Sequence, residues 1–335
     1  MSACRFDVLG LGNAIVDVIS RAEDDFLSQQ GLHKGGMILI DEARAESLYK
    51  ATGPSTIVSG GSAANTIIGV AGLGCSAAFI GKVKADDAGL AYAHDIKAAK
   101  VDFVIPFAKD GPASGRCLVL VTPDGQRTMN TYLGAAQDLS EADIDEGYVA
   151  SAAITYLEGY LWDPPGAKAA LAKAAKIARG AGRKVALTLS DAFCVDRYRD
   201  EFLGLIRAGS VQILFANESE LHSLYQTADF GTALAQLRGE KILGVVTRSE
   251  KGSVVVTADH ILTVPAVPVE EVVDTTGAGD LFAAGFLAGV SKDLSLEDSA
   301  RLGAIAAAEI IQHIGARPQK DLGQLAAQHG IRIAV

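Results

Sequence analysis

Asp274-Thr275-Thr276-Gly277-Ala278-Gly279-Asp280-Leu281-Phe282-Ala283-Ala284-Gly285-Phe286 is the stretch on which the reading of the fold turns. Gly277, Ala278 and Gly279 leave the main chain uncovered where an apolar run of small residues starts a helix. The first N–H groups of a helix lack intrahelical acceptors and sit at the positive end of its dipole, so such a start can hold an anion. Asp280 falls in the first turn of the same helix. A carboxylate beside open amides suits phosphoryl transfer: the amides take charge from the transferred group, and Asp280 accepts the proton of an acceptor hydroxyl. A helix opened by glycine merely for close packing would explain the same residues, and the rest of the chain has to separate the two.

A second glycine-opened helix start lies upstream, at Ser59-Gly60-Gly61-Ser62-Ala63-Ala64-Asn65, followed by small residues to Gly74. Ser62 is a good capping residue with Asn65 three places on, and the same turn leaves amides free for a ligand's hydroxyls. Before it, Phe6-Asp7-Val8-Leu9-Gly10-Leu11-Gly12 reads as a buried strand. Gly10-x-Gly12 lacks the third glycine of a dinucleotide fingerprint, position 15 being Ile, and Ile15 to Ile19 continue as strand, so that fingerprint is rejected. Asn13 and Asp17 are then polar residues in an apolar run, marking either a turn or a ligand site.

The remainder alternates between strand and helix except in two places. Residues 15–56 and 101–133 read as β-structure, the latter containing strands Arg116 to Thr122 and Gln126 to Tyr132 joined at Pro123-Asp124-Gly125. They form a small β-lid on an α/β domain made of 1–14, 57–100 and 134–335. Arg127, just past the turn, is either a solvated hairpin charge or a lid residue over a phosphate. Further strands are expected at Ala153 to Leu157, Lys184 to Ser190, Val211 to Ala216, Ile242 to Arg248 and Ser253 to Thr257. Helices are expected at Gly166 to Arg179, Tyr198 to Ala208 and from Ser295 through Ile314. Ligands of parallel sheets bind beyond the carboxyl ends of the strands. Asn217 and Glu220, one helical turn apart after such a strand, suit Mg²⁺ directly or through water, with an ordinary helix start as the rival.

Composition narrows the function classes. The 335 residues carry a formal charge of −10, which argues against a nucleic-acid surface. A content of 49% hydrophobic residues and 36 glycines fits a well-buried α/β protein. Cys4, Cys75, Cys117 and Cys194 are dispersed without metal spacing, as expected of reduced thiols. With no signal-like N-terminus and no run of about 18 apolar residues, a soluble cytoplasmic protein with no membrane contact is expected. No Walker A sequence occurs, so a P-loop mechanism is excluded. Monomer and homodimer are both open.

Taken in this order, the motifs resemble those of the ribokinase-like (PfkB-type) carbohydrate and nucleoside kinases over essentially the whole length, from Gly10-Leu11-Gly12-Asn13 to Gly315-Ala316-Arg317-Pro318. The resemblance implies a central, mostly parallel sheet flanked by helices, with a β-sheet lid. It makes Asp280 the base and the amides of Gly277, Ala278 and Gly279 the anion hole for the γ-phosphoryl group of ATP. Asn217 and Glu220 resemble the family's N-x-x-E motif for Mg²⁺, and Asn217, Thr247, Gly252, Gly277 and Gly279 the nucleotide side. Ser249 stands where many members have glycine. Asp274 and Thr276 sit where relatives bind a monovalent cation, K⁺ among them. Gly12-Asn13-x-x-x-Asp17, Gly60-Gly61-Ser62-x-x-Asn65 and Leu189-Ser190-Asp191-Ala192-Phe193 resemble adenosine kinases more than ribokinases or fructokinases, whose second motif is Gly-Lys-x-x-Asn. By that likeness Asp17, Gly61 and Asn65 hold the ribose 2′- and 3′-hydroxyls and Asn13 the base end. Tyr160 and Phe193 are candidates for purine contact or for core. The expectation is ATP-dependent phosphorylation of the 5′-hydroxyl of a purine nucleoside, adenosine first, with a sugar kinase or a non-catalytic nucleoside sensor as alternatives.

Overall fold

The structure is a computed structural model that describes residues 4–103 and 107–333. Residues 1–3, part of the N-terminus read above, 104–106 within the expected second β-segment, and 334–335 lie outside the described residues.

The larger sheet is built from β1 (Phe6–Leu11), β5 (Ala77–Ile80), β6 (Val101–Asp102), β9 (Ala152–Glu158), β10 (Lys184–Thr188), β11 (Ile213–Asn217), β12 (Leu243–Thr247), β13 (Ser253–Val256) and β14 (Ile261–Val264). Its order is β14-β13-β12-β11-β10-β9-β1-β5-β6. Pairing is parallel from β12 across to β6, and antiparallel only for β12–β13 and β13–β14. The parallel strands are buried on both faces, as Val/Ile/Leu/Ala-rich runs must be. Val8, Ile154, Tyr156, Ile213 and Phe215 pack to one side with the Ser62–Gly72, Ala278–Ser291 and Leu296–Ile310 helices. Leu9, Leu11, Leu157, Leu187 and Leu214 pack to the other with the Pro165–Gly180, Ala192–Arg207 and Glu218–Tyr225 helices. The result is a sheet flanked by helices on both faces, as expected, with β5 and β6 added on one side of β1 and β9 to β12 on the other, so that the strand order switches between β1 and β9. Ligand crevices of open α/β sheets form at such a switch point.

The smaller sheet has the order β3-β8-β7-β2-β4, from β2 (Ile15–Arg21), β3 (Met37–Leu39), β4 (Ser55–Gly60), β7 (Gly115–Val121) and β8 (Arg127–Tyr132). Alternation along its strands gives two faces. Val16, Val18, Leu118 and Leu120 point into the main core, whereas Ile15, Ile19, Cys117, Val119, Val121 and Met129 cluster on the opposite face. Asp17 lies between Ile15 and Ile19 and so shares that second face with Arg127, two residues from Met129. Val101 and Asp102, placed by the sequence reading in the lid, form the edge strand of the larger sheet.

Two helices differ from expectation for local reasons. The helix expected from Tyr198 begins at Ala192, because Asp191 caps it through Cys194 N, and Tyr198 is a kink inside it with non-helical φ −122° and ψ 18°. The helix expected to run through Ile314 stops at Ile310. There the carbonyl of Ile311 accepts from Val273 N and Asp274 N, at 2.8 and 3.2 Å, so a tertiary bond takes the main chain out of the helix.

The Ala278–Ser291 and Leu296–Ile310 helices meet along a seam of small residues. A Cβ at Gly285 would lie 2.6 Å from both Gly303 N and Leu302 O, so the two backbones are in direct contact. Gly285→Leu is therefore expected to cost about 3 kcal/mol or more of stability. It should appear as a lower urea midpoint at unchanged slope, and a variant as stable as the parent would show that the seam is loose.

Candidate active site

Glycine at the start of two helices places the site. The chain caps most of its helices with a side chain, Asp41, Asp86, Asp145, Asp191, Asn217, Asp229, Ser295 and Asp321 each accepting from an amide of the first turn. The Ser62–Gly72 and Ala278–Ser291 helices begin instead at Gly61 and Gly277, which offer no side chain. Gly61 has φ 96° and Gly277 φ 80°, conformations that glycine takes at little cost. Gly277 also backs onto Ala316, whose Cβ would lie 2.9 Å from any Cβ there. Ser62, read as a cap from the sequence, is thus the first residue inside its helix rather than the cap.

Freed from capping, Ser62 reaches the other helix. Its Oγ donates to Asp280 Oδ1 at 2.6 Å, and Asn65 Nδ2 donates to Asp280 Oδ2 at 3.0 Å. Asp280 is the third residue of its helix, beside amides of the first turn. Ala278 N turns back to Thr275 O at 3.2 Å. The amides of Gly279 and Asp280 have no acceptor among the described residues, and Gly279 is exposed. Gly277 N likewise has no acceptor among the described residues, so of the Gly277-Ala278-Gly279 set expected from sequence only Ala278 N is engaged, and Asp280 N adds a further open donor. Burial pushes the Asp280 carboxyl up to about 6, against the lowering pull of Ser62, Asn65 and Arg317. An ordinary aspartate, near ~3.9, is a feeble base; this one is better matched to neutral pH.

Asp17 faces Asp280 from β2, with Gly60 leaving room for its carboxyl group. Its carboxyl is likewise raised to about 6 by burial, which outweighs the opposing charges of Arg317 and Arg127. Asn13, 5% exposed, follows β1 at the switch point. There it meets Glu158, the last residue of β9, which the sequence reading passed over. Glu158 Oε1 accepts from Asn13 N at 3.2 Å and from Asn13 Nδ2 at 2.6 Å, and Oε2 accepts from Ala63 N at 2.9 Å. Glu158 thus satisfies an orphan amide of the helix that Gly61 leaves uncapped and orients the Asn13 amide. Burial raises it to about 7. The only sequence signal for it is a lone acid ending an apolar strand.

Farther along the carboxyl edge, Asn217 ends β11 beside Thr247 at the end of β12. From β1 to β12 the edge crosses four strand spacings, roughly 19 Å, enough to lay an acceptor at one end and a nucleotide at the other. Asn217 and Glu220 form a reciprocal capping box. Asn217 Oδ1 accepts from Glu220 N at 2.8 Å, while Glu220 Oε2 and Oε1 accept from Asn217 N and Nδ2 at 3.0 and 2.6 Å. Both Glu220 oxygens are occupied and the residue is 5% exposed, so the pair fits Mg²⁺ through intervening water rather than by direct ligation. Gly252, at φ 81°, closes the turn after Thr247 against Val264 and Ala266. Ser249, standing where relatives have glycine, takes φ 51°, which glycine would adopt more easily.

Asp274 is enclosed by donors. Oδ1 accepts from Thr276 N and Oδ2 from Gly315 N, both at 3.0 Å. Arg127 of β8 lies 2.9 Å from Oδ2, with 8% and 5% of the two side chains exposed. The cation at Asp274 in this structure is thus the lid's guanidinium, and Arg127 is not a solvated hairpin charge. Tyr160 donates its hydroxyl to Ser190 O at 3.2 Å and lies in the field of Glu158, Asp191, Glu220 and Asp280. Phe193 is 77% exposed and so is not core. Cys4, Cys75, Cys117 and Cys194 are free thiols, and no helix among the described residues is long and apolar enough to cross a membrane.

Comparison with known proteins identifies the family. Residues 41–321 match the model of the pfkB family carbohydrate kinases. A probable sugar kinase from Rhizobium etli CFN 42 superposes with a TM-score of 0.91 at 50% identity, covering 98% of this chain and 99% of that one. Adenosine kinase from Sinorhizobium meliloti gives a TM-score of 0.90 at 50% identity, covering 97% and 99%. Saccharomyces cerevisiae adenosine kinase is 28% identical over 91% of this chain and 94% of its own length. The chain belongs to the pfkB carbohydrate kinase family and is a phosphotransferase with an alcohol acceptor.

Proposed function

We propose that this protein transfers the γ-phosphoryl group of ATP to the 5′-hydroxyl of a purine nucleoside, adenosine before others. The observation that carries the proposal is the position of Asp280: a half-buried carboxylate whose two oxygens are held by Ser62 and Asn65, beside the open amides of Gly279 and its own residue. Opposite it stands Asp17, suited to the vicinal 2′- and 3′-hydroxyls of a ribose, with Asn13 and Glu158 beyond toward the base. The similarity to adenosine kinases from S. meliloti and yeast supports the same choice.

The acceptor hydroxyl replaces Ser62 as a donor to Asp280, and its oxygen is thereby aimed at the phosphorus. In a loose transition state the proton leaves late, when the oxygen is already bonding, so a carboxylate near pH 6 suffices. Amides of the Ala278–Ser291 helix stabilise the charge on the equatorial oxygens without reorganising. Asn217 and Glu220 would hold Mg²⁺ through water, and the ion when bound neutralises phosphate charge. The smaller sheet excludes water as a lid. A monovalent cation at Asp274 and Thr276 would compete with Arg127 for the same carboxylate. A sugar kinase is the second reading, favoured by the R. etli relative at equal identity.

Turnover should rank adenosine above ribose and fructose in an ADP-release assay, and a reversed ranking selects the sugar kinase. Asp280→Asn should lower kcat by about 10²–10⁴-fold while nucleoside binding survives; near-normal kcat removes the base. Asp17→Ala should raise the acceptor KM about 10–100-fold, the worth of a charged hydrogen bond, and an unchanged KM excludes ribose contact. The carboxyl of Asp280 is raised to about 6, and only its ionised form accepts a proton. Activity is thus full above that pH and falls as the solution is acidified through it. A kcat/KM flat from pH 7 down to 5 contradicts the assignment.

A further inference from the structure

Arg317 lies in the turn region after the Leu296–Ile310 helix, in the Gly315-Ala316-Arg317-Pro318 run at which the family resemblance ends. Its side chain is largely withdrawn into the fold. NH1 donates to Asn65 Oδ1 at 3.0 Å, and NH2 donates to Ser59 O and, at 2.5 Å, to Ser59 Oγ. Asp95 lies 3.8 Å from NH2 and accepts from Ser59 N at 2.8 Å. The segment that carries Arg317 is held on both sides. Gly315 N is bound by Asp274 at 3.0 Å, and Gln319 N and Lys320 N are bound by the buried Glu309 carboxylate, each at 3.0 Å.

A guanidinium has donors and no acceptor. The atom that Asn65 turns toward it must therefore be the amide oxygen, which leaves Nδ2 facing Asp280 Oδ2. The ionised Asp280 carboxylate, an acceptor only, selects the same sense, and Arg317 fixes it from the other side of the amide, also when Asp280 is protonated and could donate.

We propose that Arg317 is a positioning residue for Asp280, fixing through Asn65 the donor face that holds the carboxylate toward the acceptor hydroxyl. It is also the cation shared by the acids around it. Facing Asp280 are Ser62 and Asn65 of the Ser62–Gly72 helix, Asp17 of β2, Tyr156 and Glu158 of β9, and Tyr160. Facing Arg317 are Asp95 and Tyr92 of the Asp87–Ala98 helix as well as Asp17 and Asp280, while Arg127 of β8 acts on Asp17. Among these groups Arg317 is the cation that pulls Asp280 down against burial. Its loss therefore disorders the carboxylate and makes it easier to protonate.

The inference rests on Asp280 being the base, and the test separates the two. Wild type, Arg317→Lys and Arg317→Gln are compared by pH profiles of kcat and KM, on the acceptor that wild type turns over fastest. Far-UV circular dichroism and thermal unfolding check the fold. Arg317→Gln should lower kcat about tenfold or more at pH 7 and move the acid limb of kcat/KM upward by about one pH unit, the effect of removing one nearby opposite charge. The KM for ATP should change less than about threefold. Arg317→Lys should keep the acid limb near its wild-type position, because the charge remains, while recovering kcat only partly, because the fork is gone. A folded Arg317→Gln with kcat within about twofold of wild type and an unmoved acid limb overturns the proposal. Should Asp280→Asn itself retain turnover, the base assignment fails alone. The Arg317 claim is then decided by ¹³C NMR titration of the Asp280 carboxyl in the unliganded protein: an upward shift in Arg317→Gln supports it, and coincident titrations of the two proteins refute it.

Discussion

A carboxylate that must serve as a base beside a polyanionic phosphate sits in a place where like charges repel. The fold meets this constraint with main-chain and neutral donors. Asp280 stands in the first turn of a helix that glycine opens, so the dipole and the unsatisfied amides lie beside it. Ser62 and Asn65 bring two more donors from a second glycine-opened helix. Both helices pack on the same side of the large sheet and meet there without bulky side chains between them: a Cβ at Gly69 would lie 2.6 Å from Ala284 Cβ. Small residues in these helices are thus what lets their N-termini converge.

The acids around this point form a graded set. Glu158 spans the sheet's switch point and joins the end of β1 to the helix that carries Ser62 and Asn65. Asp17 enters from the smaller sheet, and Arg317 from the far end of the chain offsets part of their repulsion. Burial raises each of these carboxyls, to about 6 for Asp17 and Asp280 and about 7 for Glu158. Raised values mean that the folded state holds protons more tightly than the unfolded chain does. These groups therefore cost stability above their folded pKa values, and the cost fades as pH falls toward their ordinary ones. Stability is sacrificed at the place where chemistry needs a poised base.

Much of this was legible in the sequence because it is local. The Asp274–Asp280 run, the Gly60-Gly61-Ser62 start, the Pro123-Asp124-Gly125 turn and the alternation of apolar strands with small-residue helices each announce themselves within a dozen residues. What escaped depends on distant partners. Arg317 and Asn65 are 252 residues apart, and Glu158 acquires its role only when β9 pairs with β1 so that Leu157 lies beside Leu11. Arg127 is a hairpin charge in the sequence, but the position of the small sheet over the large one turns it toward Asp274. That Ala278 N is engaged while the amides on either side of it stay open hinges on one bond, Ala278 N to Thr275 O, that no residue pattern specifies.

The most direct measurement of the central claim is a crystal structure with adenosine and a non-hydrolysable ATP analogue bound together. The account places the nucleoside 5′-oxygen about 2.6–3.2 Å from an Asp280 carboxyl oxygen, with the terminal phosphate on the amides of Gly279 and Asp280. An acceptor hydroxyl turned away from Asp280, with the phosphate lodged elsewhere, would contradict it.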